Sequence, residues 1–181
     1  KVRFGWGYAY GAEFMLRKNS GKLNGWISYT YARSYRQTDA INDGKWYRSN
    51  YDKPHNISIV ANYDTGNKWS FAANWVYSTG TPSTFPIGYM MVQWGKVPVY
   101  GDRNAHRYPD YHRLDLSAAV KISHPARRVQ SELNFSLYNA YGRKNPWTIM
   151  FKQDKNNGDR TYAEQIYLFS IVPSITWNFK F

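Results

Sequence analysis

The sequence predicts an all-β fold, an antiparallel β-barrel whose strands cross a membrane. Three observations predict it: seven segments alternate apolar and polar residues, short turns alternate with long loops, and aromatic residues make up 19% of the chain. In a transmembrane barrel alternate residues face lipid and the interior, and aromatic girdles lie at both interfaces. The mean hydropathy of −0.69 argues against helical spans, because a spanning helix needs about 20 predominantly apolar residues in succession.

The first predicted strand shows the alternation most clearly. Its even positions are Trp6, Tyr8, Tyr10, Ala12, Phe14 and Leu16, and its odd positions are Gly7, Ala9, Gly11, Glu13, Met15 and Arg17. Successive side chains of a strand point to opposite faces, so this pattern places large apolar residues on one face and small or charged residues on the other.

Six further segments repeat the pattern. Their apolar sides run along Leu23–Tyr31, Ile57–Tyr63, Trp69–Tyr77, Leu114–Ile122, Val129–Leu137 and Phe169–Phe181. Trp26 is an exception, since it falls on the polar side of the second segment. We therefore expect the even residues of the first and fifth strands, and the odd residues of the other five, to face lipid.

The connections alternate in length. Short turns are predicted at 19–21, 65–67 and 124–125, and long loops at about 37–53, 80–110 and near 155. Outer-membrane barrels have short periplasmic turns and long extracellular loops, so the long loops are expected outside and Phe181 at the periplasmic rim.

Seven is an odd strand number, whereas bacterial single-chain barrels have even numbers. The segments are therefore interpreted as the last seven strands of a larger barrel, with both edges bonded to strands outside these residues. A soluble β-sandwich is the alternative, but its outer face would not alternate Trp and Tyr with glycine.

The chain is basic and has no cysteine. Lys and Arg number 24 against 12 Asp and Glu, a formal charge of +12. These basic residues are spread over nearly every loop and turn instead of forming one patch, so nucleic-acid binding is not predicted. The start of the sequence does not read as a signal peptide, and the beginning of a secreted precursor is expected to precede it.

Several segments together resemble the C-terminal barrel of TonB-dependent outer-membrane receptors. They are Gly7–Phe14, Gly25–Tyr31, Tyr51–Asn56, Trp75–Pro82, Pro109–Leu116 and Pro173–Phe181. They follow the family's order over essentially the whole chain.

The resemblance implies that residues 1–181 are the C-terminal part of a 22-stranded barrel filled by an N-terminal plug. It implies a receptor in the outer membrane of a Gram-negative bacterium that imports a scarce nutrient, such as a siderophore, haem, cobalamin or glycan. The implied partners are membrane lipid and lipopolysaccharide, the rest of the barrel, the plug, TonB acting through the plug, and the barrel-assembly machinery. The plug, the TonB box and fifteen earlier strands do not occur in these residues. A non-transport barrel that acts as a scaffold in an envelope complex is the alternative function.

The polar faces carry charged candidates for the barrel lumen. They are Glu13, Arg17, Arg113, Asp115, Lys121 and Glu132. They could contact a plug or line a permeation path, but a hydrated wall of offset charge pairs is favoured, because polar lumen faces are general to such barrels.

The loop 80–110 carries the candidate ligand-binding residues. They are Phe85, Tyr89, Trp94, Tyr100, Arg103 and Arg107. Aromatic rings and cations over a pore suit recognition by stacking and charge. Contact with lipopolysaccharide, or packing of the loop on its neighbours, explains the same residues equally well.

Metal binding, cofactors and catalysis are not predicted. His106, Asp110 and His112 lie close in sequence, near Met90 and Met91, but their spacing matches no ligand motif. Ser78, Ser83, His55 and His106 show no grouping of nucleophile, base and orienting residue, so an enzyme is not expected.

The last segment alternates to its final residue, through Ile175, Trp177, Phe179 and Phe181. The family resemblance implies that such a C-terminal strand, ending in an aromatic residue, is the signal for the barrel-assembly machinery. Alternatively, Phe181 is only an interfacial anchor.

Overall fold

The computed structural model describes residues 4–123, 129–153 and 161–181. In these residues the chain is all-β, and its only helical element is a short 3-10 turn at Asn42–Gly44. No helix in the described ranges is long and apolar enough to span a membrane.

The described residues form seven long strands and seven shorter ones. In chain order the strands are β1 (Trp6–Lys18), β2 (Leu23–Gln37), β3 (Tyr47–Arg48), β4 (His55–Asp64), β5 (Trp69–Ser78), β6 (Pro82–Ser83), β7 (Pro86–Val92), β8 (Gly95–Tyr100), β9 (His106–Arg107), β10 (Tyr111–Lys121), β11 (Gln130–Tyr138), β12 (Thr148–Gln153), β13 (Thr161–Ile166) and β14 (Val172–Lys180).

The seven long strands form one antiparallel sheet in the order β1-β2-β4-β5-β10-β11-β14, and β3 pairs with the end of β2. The predicted strands and their antiparallel pairing are confirmed. The sheet is open within the described residues, and its edges β1 and β14 do not pair with each other.

The register places every predicted apolar side on the same face of this sheet. Directly opposed residues of an antiparallel pair lie on one face, so each row can be followed from strand to strand. One apolar row is Leu16, Ile27, Ile59, Trp75 and Leu114. The faces alternate along β10 and β11: Leu116 and Leu137 are opposed on the side of this apolar row, and the next pair, Ser117 and Ser136, lies on the other side.

We call the two sides the apolar face and the polar face. The six charged residues predicted to share a face all lie on the polar face, and Trp26 lies there too, opposite Arg17.

The connections also alternate as predicted. Turns 19–22 and 65–68 join strands at one end of the sheet, the turn end, and the segments 38–54, 79–110 and 139–171 leave from the other, the loop end. The predicted turn at His124–Pro125 lies outside the described residues, and so does the centre of the loop predicted near 155.

Two expectations are corrected. Segment 80–110 is not an irregular loop, since β6 pairs with β9, and β7 forms a hairpin with β8 through the turn at Gln93 and Trp94. The last strand begins at Val172, after Phe169 and Ile171, and ends before Phe181. The late start has a local cause: the Ser170 carbonyl accepts a hydrogen bond from Asn139 Nδ2 at 3.0 Å instead of one from a ladder.

Gly25 makes the closest backbone approach inside the sheet. Its φ is +153°, and a Cβ at this position would lie 2.0 Å from the carbonyl oxygen of Val60 on β4. Since no real side chain tolerates that distance, β2 and β4 can pair here only if the residue is glycine.

We expect the substitution Gly25→Ala to destabilise the protein by about 1–3 kcal/mol, the usual cost of forcing backbone to move around an added methyl group. Denaturant titration measures this cost. Gly88→Ala is the matched control, because no atom lies within 4 Å of the Cβ site of Gly88. Equal stability of the two variants would contradict this register.

Candidate functional site

The loop end is held together by the carboxylate of Asp52, which is fully buried. Its Oδ1 accepts hydrogen bonds from the Ser34 amide at 2.8 Å and from Arg33 Nε at 3.2 Å. Its Oδ2 forms an ion pair with Arg107 Nη2. Arg107 Nη1 also donates to the carbonyl oxygens of Asp52, at 2.6 Å, and Gly80, at 2.9 Å. Asp52 therefore joins β2 and β9 to the segment between β3 and β4.

A second carboxylate, that of Asp110, anchors the end of segment 79–110. Its Oδ2 accepts a hydrogen bond from the Tyr77 hydroxyl at 2.6 Å, and its Oδ1 accepts one from the Gly80 amide at 2.9 Å. Partial burial disfavours the ionised carboxylate, but these two hydrogen bonds and the cations of Arg107 and Arg143 outweigh it and hold the pKa of Asp110 below its usual value.

Residues from the segments that Asp52 and Asp110 hold line a cleft of about 460 Å³, which we call the polar cleft. Its lining residues are mainly hydroxyl and amide side chains, with one cation: Asn50, Thr81, Pro82, Ser83, Thr84, Arg103 and Asn104. Among the described residues that line it, there is no carboxylate and no aromatic ring.

Asn104 is the central support of the polar cleft. It is buried and adopts a left-handed backbone conformation, with φ of 58°, which Asn tolerates better than most residues. Its Nδ2 donates to the Arg48 carbonyl at 2.6 Å and to Asn50 Oδ1 at 2.7 Å, and its amide donates to Thr84 Oγ1 at 3.0 Å. Asn104 thus fixes one segment of the cleft wall through its side chain, which bonds Arg48 and Asn50, and a second through its backbone amide, which bonds Thr84.

The aromatic candidates of the sequence do not converge on this cleft. Phe85 stacks on His106, with ring centroids 4.9 Å apart, and packs edge-on against Phe151 of β12, so it joins segment 79–110 to its neighbour. Tyr89 and Tyr100 lie on the β7–β8 hairpin, and Trp94 lies exposed between these two strands.

The two arginine candidates have different environments. Arg107 is bonded to Asp52, as described above. Arg103 lines the polar cleft, and its backbone is held by Asn42, whose Oδ1 accepts from the Arg103 amide at 2.7 Å. The Arg103 guanidinium lies 5.9 Å from the ring centroid of Tyr47, within reach of a cation–π contact. Only Arg103 of the six candidates belongs to the cleft wall.

On the polar face the charged candidates form local pairs. Arg113 Nη2 and Asp115 Oδ2 are 2.9 Å apart, and Asp115 Oδ1 also accepts from the Asn139 amide at 3.0 Å. Lys121 and Glu132 are directly opposed on β10 and β11. These neighbours account for four of the six charged candidates, while Glu13 and Arg17 lie on the edge strand β1, and the assignment of this face to a lumen stays a prediction.

The histidines near segment 79–110 have separate partners. His106 stacks on Phe85, and His112 Nδ1 lies 2.7 Å from the Tyr141 hydroxyl. Asp110 is engaged by Tyr77 and Gly80. Among the described residues no three His, Asp or Glu side chains are grouped as a metal ion would need.

The apolar face has its own concavity of about 430 Å³, lined on two central strands by Ala61, Ala73, Tyr63 and Phe71. The concavity forms where small alanine side chains lie beside large aromatic ones. Its lining is almost entirely apolar, so it offers no groups that would bind a polar ligand. Ile175, Trp177 and Phe179, with Phe181 beyond β14, project their apolar side chains, which are more than half exposed.

Sequence reasoning missed Asn50, Asp52, Thr81, Ser83, Thr84 and Asn104. A usable signal was the hydroxyl-rich run from Ser78 to Thr84, in which five of the seven residues are Ser or Thr and the other two are Gly80 and Pro82. Asp52 and Asn104 offered no such signal.

Comparison of the chain with protein-family models, curated proteins and solved structures finds no match.

Acid should loosen the Asp110 anchor. Because the pKa of Asp110 is lower in the folded state, its carboxylate stabilises the fold above the unfolded-state value of about 3.9, and this contribution is lost as pH falls through the folded-state pKa. We expect Asp110→Asn to be less stable than the parent at neutral pH, and the difference to shrink in acid.

Thermal unfolding from pH 7 to pH 3 measures this difference. Asp102→Asn is the control, since Asp102 is an exposed carboxylate of the same segment. A difference between Asp110→Asn and the parent that stays constant over this range would show that the anchor does not depend on ionisation.

Proposed function

We propose that this sheet is part of the wall of an outer-membrane β-barrel, and that the barrel is a TonB-dependent receptor that imports a scarce nutrient. The observation that carries the proposal is the two-sided register, in which seven strands keep most of their large apolar residues on one face and, apart from Lys18 and Arg33, their charged Asp, Glu, Lys and Arg residues on the other. A barrel in lipid requires this separation, because lipid-facing and lumen-facing residues alternate along every strand.

The exposure of the apolar face supports a lipid environment. Ile27, Phe71 and Leu116 lie on interior strands of the sheet, yet their exposed fractions are 47%, 44% and 40%. Soluble monomers rarely leave a contiguous apolar surface of this extent in water.

The lengths of the strands support it as well. The strands β4, β5, β10, β11 and β14 have 10, 10, 11, 9 and 9 residues. A tilted transmembrane strand needs about 9–11 residues.

Aromatic residues flank the aliphatic rows of the apolar face on both sides. Towards the loop end they are Tyr29, Tyr31 and Tyr77, with His55 beside them, and towards the turn end they are Tyr63, Trp69, Phe71, Trp177 and Phe179. Trp and Tyr are enriched at the two membrane interfaces, so the distance between these groups defines the proposed membrane layer.

The open edges support a larger barrel. The backbone groups on the outer sides of β1 and β14 have no strand partner within the described residues. Lipid offers no hydrogen bonds, so in a membrane these edges must pair with further strands, for which the family resemblance implies a 22-stranded barrel. The polar face would then surround the lumen and the plug, the loop end would face outward, and TonB would act through the plug.

A matched pair of substitutions tests the membrane wall. In the complete polypeptide, Leu116→Arg should cost about 2–4 kcal/mol of folding free energy in liposomes, because it moves a charge into lipid near the midplane. Ser117→Arg, one residue further on the opposite face, should cost far less. Equal costs would rule out this assignment of the two faces and favour a soluble sheet.

A growth assay tests import. A Gram-negative host that lacks its own receptors should grow on a ferric siderophore, haem, cobalamin or a glycan only when the complete polypeptide and TonB are both present. If the protein reaches the surface but supports uptake of none of the four, or if uptake persists without TonB, import is wrong and the scaffold function remains.

A further inference from the structure

We propose that the polar cleft binds an oxyanion, the carboxylate or phosphate group of a ligand. The proposal deepens the proposed import function and rests on it for its biological meaning, because the cleft lies at the loop end. Binding itself is a separate property that requires no transport.

The cleft offers hydrogen-bond donors that the protein does not use. Within the described part of the chain, the hydroxyl groups of Thr81 and Ser83 make no hydrogen bond, although both residues line the cleft. Thr84 Oγ1 accepts a bond from Asn104, which leaves its own hydrogen free to donate. The Asn50 side chain likewise accepts through Oδ1 and keeps its NH2 group available.

The charge of the cleft favours an anion. Arg103 brings a guanidinium with five donors, and such a group binds carboxylate and phosphate in paired geometry. No carboxylate lines the cleft to neutralise it. Asp52, the buried carboxylate beside the cleft segments, is already bonded to Arg33 and Arg107.

The donors are also held in place before a ligand arrives. Asn104 holds Asn50 through a side-chain hydrogen bond and Thr84 through its backbone amide. The side chain of Asn42 donates to the backbone carbonyl of Arg103 and accepts from its backbone amide, which fixes the backbone from which the cation extends. A site whose donors are already ordered loses less conformational entropy on binding.

A neutral sugar fits the cleft less well. An apolar or aromatic surface against which a sugar ring could pack is typical of small-molecule sites, and no aromatic ring is among the described residues that line this cleft. An oxyanion needs donors and positive charge, which are the groups that the lining supplies.

Isothermal titration calorimetry on the complete polypeptide in detergent tests the proposal with three probes: inorganic phosphate, citrate and glucose. We expect phosphate or citrate to bind and glucose not to bind. Arg103→Ala should weaken binding at least tenfold, and Ser83→Ala should weaken it by a smaller factor, because a hydrogen bond to an ionised group is stronger when the donor is charged.

Lys45→Ala is the matched control, since it removes an exposed cation from the same end of the sheet but outside the cleft lining. Arg103→Lys keeps the charge and should retain part of the affinity, and circular dichroism checks that every variant is folded. A phosphate response without a citrate response would identify a phosphate ligand, and the reverse a carboxylate.

Equal affinity of Arg103→Ala and Lys45→Ala for the bound anion would overturn the proposal, as would glucose binding as tightly as the anions or no binding of either anion. The growth assay distinguishes this failure from failure of the import function. Anion binding that depends on Arg103 in a protein that imports nothing would overturn import and leave the cleft assignment intact.

Discussion

The structure depends on one constraint, the unbroken register between neighbouring long strands. Side chains alternate with period two, so a slip of one residue at any interface would exchange the two faces for every strand beyond it. The pairs Leu16–Ile27 and Phe135–Ile175 lie near opposite edges of the sheet, yet both belong to the apolar face. The charged pair Lys121–Glu132 stays on the polar face for the same reason. The separation of apolar from charged residues is therefore a property of the whole sheet.

Sequence periodicity was sufficient to predict the sheet, because the alternation of apolar and polar residues within each long strand shows which residues share a face. Even Trp26, which breaks the pattern, keeps its predicted place opposite Arg17. Periodicity failed where backbone groups bond outside a ladder. Ser170 bonds to Asn139, so the last strand starts three residues later than Phe169 would suggest. In segment 79–110 the strands are short and carry Pro and Gly, so their pairing is fixed by contacts that no alternation encodes.

The candidate site could not be predicted in the same way, because its contacts join residues distant in sequence. Asn104 and Asn50 are separated by 54 positions, and Arg107 and Asp52 by 55. Both are hydrogen bonds between side chains of two different segments, and no repeating pattern in the sequence relates these segments to each other. The expectation of an aromatic ligand-binding site rested on residue type alone, because the sequence does not show which rings already pack against other parts of the protein. Phe85 is a residue of the type that stacks on ligands, but its ring is already packed against His106 and Phe151.

The same reasoning decides which basic residue is available for function. The formal charge of +12 is spread over the chain and locates no site. What distinguishes one cation from another is whether the fold already supplies its counter-charge. Arg33 and Arg107 share the buried Asp52, and Arg113 has Asp115, so removing any of these arginines would take one charged partner from a carboxylate and weaken the fold. Arg103 faces a ring, hydroxyl groups and amides instead. Arg103 lies beside hydroxyl and amide donors in the cleft wall, and no carboxylate is among the described residues of that wall, which is why we propose that an anion from outside the chain completes the cleft.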